Sequence, residues 1–458
     1  MSRRTLVVFI LVLLLVCLGV SACALVQAAP RMGDATRSAV ARIETQIGRV
    51  WPGAPGDRQA GALPFTPTAT PVGIAAVSGT PTPAPTSGRL ARSTPRISTP
   101  TATPAAPRGT AGQPGRNATV TPPAVTAAKM DQGDWYRLYF TRPFYPERPP
   151  DRVGGLDAAL IADLDAAQTS IDMASFGIDL PSVVDALRRA AARGVRVRVV
   201  TDDDANNALP EAATATLAMA TGGIELSIDH SPGYSHNKVY IIDDQVLWTG
   251  SWNLTASDTY RNNNNALRVT EPRLIENYKK RFEELMAGRF HNAADKTVPN
   301  PKITLANGVS IENYFSPNGG ARAAIQARLA AAQKNIRLLA FSYTAQRQAD
   351  ILVEKRKAGL PVQAVLESRN ANGAGAQFSR LKSGGVDVLK DGNCYVMHDK
   401  VYIIDDKTVI MGSYNFTGQA ETDNDENVLI IDDPNLAAHY IDEFNRIYKQ
   451  AQNPTCGS

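Results

Sequence analysis

The sequence predicts an α/β protein built from two similar α/β/α sandwich halves, with one functional site at their interface. A polar motif occurs twice, and each position of the second copy lies 162 residues after its match in the first. His398 therefore matches His236, and Asn415 matches Asn253. Around each copy, short apolar strand patterns alternate with helical patterns in the same order, which is typical of α/β folds. A period this long is far above that of a solenoid repeat. We therefore interpret the chain as an internal duplication of one domain.

Residues 1–28 have the character of an export segment, either a signal peptide or a membrane anchor. Arg3 and Arg4 precede an apolar run, Leu6–Val20, with the length and flank of a secretory signal. The small residues before Cys23 resemble a bacterial lipoprotein signal, in which Cys23 would be lipidated. Alternatively, the run extends through Val26 and forms an uncleaved anchor of about 21 residues, enough to span a bilayer. A released protein is the third alternative. All three predict an extracytoplasmic protein, and the first two tether it to the cell membrane.

Residues 29–128 have the composition of a disordered tether. Fifteen of the 30 prolines lie between Pro52 and Pro123, mixed with Thr, Ala, Gly and Ser, and apolar periodicity is weak. Residues 1–128 hold 12 Arg against 3 acidic residues, a net charge of +9, which favours an anionic membrane surface. Residues 129–458 carry a net charge of −5, which argues against a broad nucleic-acid-binding face.

The folded region divides into half 1 (residues 129–300) and half 2 (residues 301–458), whose elements correspond. Each half is expected to run from a first helix through a strand, a second helix, two further strands and the motif to a last helix. The predicted pairs are the strands Ile171–Phe176 and Ile336–Phe341, the helices Pro181–Arg193 and Gln346–Ala358, the strand ends Val197–Thr201 and Val362–Glu367, and the last helices Glu271–Met286 and Asn435–Lys449.

The four cysteines form neither a disulfide framework nor a metal-ligand spacing. A Cys394–Cys456 bridge is an alternative outside the cytoplasm, but we expect two ordinary thiols. We expect no metal or other cofactor.

The repeated motif has the pattern H-x-K-x4-D-x6-G-S-x-N. Its two copies are His236, Lys238, Asp243, Gly250, Ser251 and Asn253, and His398, Lys400, Asp405, Gly412, Ser413 and Asn415. On an extended strand residues i and i+2 share a face, so His and Lys project together, as do Ser and Asn. Each half therefore offers an imidazole, an ammonium, a hydroxyl and an amide at one rim.

This set of groups fits a phosphate diester. The lysines supply positive charge to the non-bridging oxygens, and one imidazole can attack phosphorus while the other protonates the leaving oxygen. Two histidines in different protonation states imply a bell-shaped pH dependence. The candidate phosphate-binding hydrogen-bond donors are Ser251, Asn253, Ser413 and Asn415.

Packing alone explains other residues near the motif more simply. Asp243 and Asp405 are interpreted as structural residues that form the hairpin turn. The nearby aromatic residues are interpreted mainly as packing; they are Trp248, Trp252, Tyr260, Tyr414 and Phe416. A lone histidine on a strand is usually structural too. Repetition of the same residue types at one spacing is what favours chemistry for the His and Lys pairs.

The paired motif resembles the phospholipase D superfamily of metal-independent phosphodiesterases, over about residues 135–450, and is similar to the branch of bacterial endonucleases and cardiolipin hydrolases. The resemblance implies a phosphohistidine intermediate at the interface of two halves, and a carboxylate beyond the motif that orients the nucleophile. Glu426, downstream of His398, matches that position, whereas the position at the same offset from His236 holds Asn264. On this basis we expect His398 to be the nucleophile and His236 the general acid, with Asp258 or a distant residue as an open source of the missing carboxylate.

The predicted function is phospholipid hydrolysis of the phospholipase D type. The acidic catalytic region and the membrane-proximal location favour a phospholipid substrate. An exported endonuclease acting on DNA or RNA is the main alternative, followed by a phosphatidyltransferase or a non-catalytic surface protein. We expect a monomer with an internal pseudo-twofold axis, because duplication would replace the dimer found in branch members with one motif.

Overall fold

The computed structural model describes residues 128–208 and 210–454. The chain divides into two units, Met1–Thr119 and Val120–Ser458. The first unit lies outside the described residues, so the export segment, Cys23 and the tether stay predictions. The second unit holds both halves of the duplication. No helix within the described ranges combines the length and apolarity needed to cross a bilayer.

Half 1 contains eight strands and six helices among its described residues. The strands are β1 (Lys129–Gln132), β2 (Tyr136–Phe140), β3 (Ser170–Ser175), β4 (Arg196–Asp202), β5 (Glu225–Asp229), β6 (Lys238–Ile242), β7 (Val246–Gly250) and β8 (Asn265–Val269). The helices are α1 (Leu156–Ala166), α2 (Pro181–Ala192), α3 (Asp203–Ala208), α4 (Pro210–Thr221), α5 (Ala256–Tyr260) and α6 (Pro272–Met286).

Half 2 repeats this order with a shorter connection between its parallel strands. The strands are β9 (Lys302–Thr304), β10 (Ser310–Ser316), β11 (Ile336–Ala340), β12 (Val362–Leu366), β13 (Asp387–Lys390), β14 (Lys400–Ile404), β15 (Thr408–Gly412) and β16 (Glu426–Asp432). The helices are α7 (Ala321–Ala331), α8 (Gln346–Lys357), α9 (Phe378–Ser383), α10 (Gly418–Thr422) and α11 (Pro434–Gln452).

Each half forms one mixed eight-stranded sheet, and the two sheets have the same strand order. The orders are β1-β2-β8-β7-β6-β3-β4-β5 and, read from the matching edge, β9-β10-β16-β15-β14-β11-β12-β13. In both, the last three strands are parallel to one another and the remaining pairings are antiparallel. The predicted α/β duplication is therefore confirmed, and the motif strands β6 and β14 occupy central positions.

The last helix of each half packs between the two sheets. Pro272 and Pro434 occupy first turns, where a missing N–H costs nothing, and the preceding carboxylates Glu271 and Asp433 cap the helices. Leu274, Tyr278 and Phe282 face the core at i, i+4 and i+8, and their counterparts in half 2 do the same. Those counterparts are Leu436, Tyr440 and Phe444. One central core joins both sheets and both helices, and separate outer cores lie under the remaining helices of each half.

Most predicted elements coincide with observed ones, and the differences lie at edges and in one connection. The short strands β1 and β9 pair at the sheet edges and were not predicted. The helices α3 and α4 fill a connection that in half 2 holds only a 3₁₀ turn and α9. Cys394 is disulfide-bonded, so the expectation of an ordinary thiol there was wrong. Sequence spacing cannot decide such a bond, because it depends on distance in the fold. The other three cysteines lie outside the described residues.

Candidate active site

The two motif histidines lie at the start of the central strands, where the halves cross-pair through their backbones. The His236 backbone N–H donates to the Asp425 carbonyl at 3.0 Å, and the His398 N–H donates to the Asn263 carbonyl at 2.9 Å. Both acceptors belong to the opposite half. Asp425 lies just before β16, and Asn263 lies just before β8. The backbone of each half therefore positions the imidazole of the other.

His236 is paired with a carboxylate of the opposite half. Its Nδ1 lies 2.7 Å from Glu426 Oε2, and the Ser413 hydroxyl donates to the same oxygen at 2.7 Å. Glu426 and Ser413 are fully buried. A carboxylate at this position keeps the proton of the neutral ring on Nδ1, which leaves the Nε2 lone pair free to react.

His398 is paired with an amide in the same geometry. Its Nδ1 lies 2.9 Å from Asn264 Oδ1, and the Ser251 hydroxyl donates to that oxygen at 2.8 Å. Asp258 Oδ2 lies farther from Nδ1, at 3.5 Å. The amide therefore sets the ring orientation, and a second group supplies the nearby negative charge.

This geometry corrects the partner expected for Glu426. The sequence interpretation placed Glu426 behind His398, but Glu426 contacts His236 and Asn264 contacts His398. Asn264 and Glu426 each lie 28 residues after the motif histidine of their own half. Because the two halves face each other, each of these side chains contacts the histidine of the opposite half. The carboxylate on which we based the choice of His398 as the nucleophile therefore does not contact His398. By the same physical argument, the carboxylate of Glu426 favours His236 as the nucleophile.

The two lysines are almost completely buried beside the histidines. Lys238 Nζ donates to the His236 carbonyl at 2.8 Å, and Lys400 Nζ donates to the His398 carbonyl at 2.7 Å. Burial lowers the pKa of Lys238 to about 8. Burial, followed by repulsion from Lys238, lowers the pKa of Lys400 to about 7. Because the ammonium groups influence each other, the two halves contribute to one electrostatic site.

Burial also shifts the pKa of the other ionisable groups at the site. It lowers the pKa of His236, with Lys238 and Lys400 adding to the shift, and it lowers the pKa of His398 despite the opposing charge of Asp258. Burial raises the pKa of Glu426 to about 8, against the influence of Lys238. The free site therefore favours neutral imidazoles. A positive charge that forms on His236 would in turn favour the ionised form of Glu426 beside it.

Two phenylalanines that the sequence interpretation treated only as strand ends complete the site. Phe176 packs edge-on against His236 with ring centroids 5.1 Å apart, and Phe341 packs against His398 at 4.6 Å. Lys238 lies 5.5 Å from the Phe176 ring centroid, and Lys400 lies 4.8 Å from that of Phe341. Their occurrence at the end of the same strand in both halves was the available signal.

The remaining motif residues have different surroundings. The Ser251 and Ser413 hydroxyls donate to the histidine partners Asn264 and Glu426, and their predicted contact with a phosphate stays a prediction. Asn253 Nδ2 donates to Asp258 Oδ2 at 2.7 Å. Asn415 is partly exposed at the equivalent position.

Asp243 and Asp405 lie in the hairpin turns, at φ 53° and 56°. Each carboxylate accepts backbone hydrogen bonds from the loop before the third strand of its half. Short polar side chains tolerate this left-handed backbone best. Of the aromatic residues near the motif, Trp248, Trp252, Tyr414 and Phe416 are buried in the outer cores.

One group of potential metal ligands occurs among the described residues, Asp229, His291 and Asp425. Its charges are balanced by the chain itself. His291 Nε2 lies 2.7 Å from Asp229 Oδ2, and the buried Arg281 guanidinium pairs with Asp425. We assign these residues to an ion-pair network that supports the segment before Glu426.

Comparison with known proteins identifies related sequences and folds. A family model described as "Cardiolipin synthase, PLD-like domain" matches residues 160–286 and 325–448, more than half of the chain. Mitochondrial cardiolipin hydrolase of Homo sapiens is 36% identical over 126 residues, 28% of this chain and 49% of that protein. Phospholipase D of Rickettsia conorii is 36% identical over 115 residues, 25% of this chain and 56% of that protein. The chain thus spans about half the length of the curated relatives it matches.

A solved structure shows the same fold. Phosphatidylserine synthase of Haemophilus influenzae Rd KW20 has a TM-score of 0.52 at 12% identity, covering 71% of this chain and 88% of that one. The phospholipase D family member Nuc of Salmonella typhimurium is 34% identical and covers 31% of this chain and 95% of its own, with a TM-score of 0.30. The names of the curated relatives agree with the predicted phospholipase D-like hydrolase.

Proposed function

Because the chain belongs to the phospholipase D superfamily, we propose that it is a metal-independent phosphodiesterase that hydrolyses phospholipids through a phosphohistidine intermediate. The supporting observation is the pair of buried imidazoles, each with Nδ1 held by an acceptor of the opposite half and a lysine beside it. A pair of this kind provides one nucleophile and one acid at the same phosphate.

The first chemical step is attack by His236. Its Nε2 forms a bond to phosphorus, the bond from phosphorus to the headgroup oxygen breaks, and His398 Nε2 gives its proton to that oxygen. Lys238 and Lys400 stabilise the charge on the non-bridging oxygens. Glu426 stabilises the positive charge that develops on the His236 ring.

The second step releases the phosphatidyl group. Neutral His398 takes a proton from water, the resulting hydroxide attacks phosphorus, and the bond to His236 Nε2 breaks. His236 is the nucleophile in this account because its Nδ1 partner is a carboxylate at 2.7 Å, whereas the direct partner of His398 is a neutral amide. An amide orients the ring but does not neutralise a full positive charge on it.

A phospholipid substrate is supported by the names of the curated relatives, phospholipase D and cardiolipin hydrolase. The net charge of −5 on residues 129–458 gives no broad attraction for nucleic acid. We place the protein outside the cytoplasm, tethered to the cell membrane through Cys23 or an uncleaved anchor, as a monomer.

The test is an assay of the full chain, treated with EDTA, on vesicles of phosphatidylcholine, vesicles containing cardiolipin, and single-stranded DNA. We expect lipid hydrolysis that EDTA does not abolish, and loss of activity in His236→Ala and His398→Ala. Cleavage of DNA alone would replace the lipid proposal with the nuclease alternative. Transfer to an added alcohol in preference to water would indicate a phosphatidyltransferase. Full activity in either histidine variant would refute the mechanism.

A further inference from the structure

The two halves differ in where they carry the carboxylate that reaches the site. Glu426 of half 2 corresponds to Asn264 of half 1, and Asp258 of half 1 corresponds to Ala420 of half 2. Each half thus contributes one buried carboxylate, but from different positions along the duplicated unit. An exchange of this kind keeps the charge of the site while changing its source.

Asp258 is held in place by several hydrogen bonds. The short helix α5 begins after Thr255, whose hydroxyl accepts from the Asp258 N–H at 3.1 Å. The Asn253 N–H and side-chain amide donate to Asp258 Oδ2 at 3.0 and 2.7 Å, and the Asn262 amide donates to Oδ1 at 2.6 Å. With 4% exposure, the carboxylate is fixed 3.5 Å from Nδ1 of His398.

Asn264 lies between these groups in a matching orientation. Its side-chain Nδ2 donates to the Asp258 carbonyl at 3.0 Å, which leaves Oδ1 to accept from His398. The ring is therefore aligned by the amide, and the charge opposite it comes from Asp258. The charged and titratable groups that face His398 are Asp258, Lys400, Lys238 and His236. Asp258 is the anion among them, and the lysines oppose protonation of the ring.

We infer that Asp258 is a positioning residue that supplies, from a different place in the chain, the negative charge with which His398 holds the proton for the leaving group. The inference rests on the proposed function, because it assigns His398 as the general acid. Asp258 itself does not touch the substrate in this scheme; it acts through the imidazole. A purely structural role, holding Asn253 and the start of α5, is the alternative to be tested.

The first experiment compares two leaving groups in the full-length Asp258→Asn variant. The probes are a p-nitrophenyl phosphodiester, whose leaving group departs without protonation, and phosphatidylcholine, whose alkoxide must be protonated. We expect the first-turnover rate of phosphatidylcholine cleavage to fall roughly 10–100-fold, as general acid catalysis is lost, and the initial burst rate of p-nitrophenolate release, which precedes the step in which His398 acts as a base, to change by less than about threefold. An equal loss on both probes would show a structural role and overturn the inference.

The second experiment is rescue by moving the carboxylate. In Asp258→Asn combined with Asn264→Glu, a carboxylate occupies the position that Glu426 has toward His236, and Ser251 is placed to donate to it as Ser413 does to Glu426. Asp258→Asn should move the alkaline limb of the pH profile of kcat/KM on phosphatidylcholine to lower pH, because His398 loses the charge that favours its protonated form. The double variant should restore both the position of this limb and the rate. Failure of the double variant to recover either, while it remains folded by circular dichroism, would count against the inference.

A matched control removes the buried carboxylate of Asp399, the residue that follows His398 in the sequence. Asp399 accepts from Asn265 at 2.6 Å, and its counterpart in half 1 is already an amide, Asn237. Asp399→Asn should keep the parental ratio of the two probe rates. If the parent protein cleaves neither probe, the proposed function fails. If the parent is active and Asp258→Asn loses equal activity on both probes, only the role of Asp258 is refuted.

Discussion

Replacing Glu426 by glutamine should slow hydrolysis without unfolding the protein, because it removes the negative charge that the carboxyl group carries when His236 becomes positive during attack, and little else. The amide has the shape of the carboxylate and keeps an oxygen for His236 Nδ1 and for the Ser413 hydroxyl. What disappears is the anion that faces the positive charge formed on His236 during attack.

The size of the effect follows from the distance between the two groups. Two unit charges 2.7 Å apart interact by about 6 kcal/mol at an effective dielectric constant of ~20. The glutamine retains a hydrogen bond, so we assign roughly half of this, about 3 kcal/mol, to the lost charge. At about 1.36 kcal/mol for each tenfold change, kcat/KM should fall roughly a hundredfold.

Single-turnover hydrolysis of a short-chain phospholipid by the parent and Glu426→Gln measures this loss. Glu443→Gln serves as the control, since Glu443 is a buried glutamate of α11 paired with Arg142 and Arg446. The control should lose stability while keeping the rate per folded molecule. A Glu426→Gln rate within about threefold of the parent would refute the role of the carboxylate at His236.

Two further perturbations test the charges of the site and the turn that supports it. Burial lowers the pKa of Lys400 to about 7, so this lysine is charged below that pH and neutral above it. We therefore expect kcat/KM for the anionic diester to fall as pH rises from about 6 to about 8.5. A flat pH profile would contradict this. Replacing Asp243 by alanine removes the acceptor for the backbone N–H groups of residues 168–170 and disfavours the backbone angle φ of 53°. Urea unfolding should therefore show a free energy of unfolding that is about 1–3 kcal/mol lower, with kcat unchanged. Asp243→Asn should lose less stability, because asparagine keeps an oxygen acceptor and tolerates this φ.

The sequence was sufficient to predict the duplication, the strands that carry the motif and the Asp-Asp turns. These features depend on local pattern: the alternation of side chains along a strand places His and Lys on one face, and Asp243 suits a left-handed turn. The last helices were also predictable, since Leu274, Tyr278 and Phe282 repeat at helical spacing and are capped by Glu271.

The histidine partners could not be predicted because they depend on how the halves face each other. Glu426 is closer in sequence to His398 than to His236, and sequence distance carries no information about which imidazole it reaches across an interface. The 3.5 Å approach of Asp258 to His398 is equally non-local. The partners of the two serine hydroxyls, Asn264 and Glu426, are likewise contacts that the strand pattern does not reveal.

The covalent intermediate tests the asymmetry of the histidine partners directly. Acid quenching of the full-length protein during turnover of a phosphodiester, followed by proteolysis and mass spectrometry under conditions that preserve phosphoramidates, locates the phosphoryl group. We expect phosphate on the peptide containing His236, with accumulation when His398 is replaced by alanine and the p-nitrophenyl diester is the substrate. Phosphate on His398 in the parent protein would contradict it.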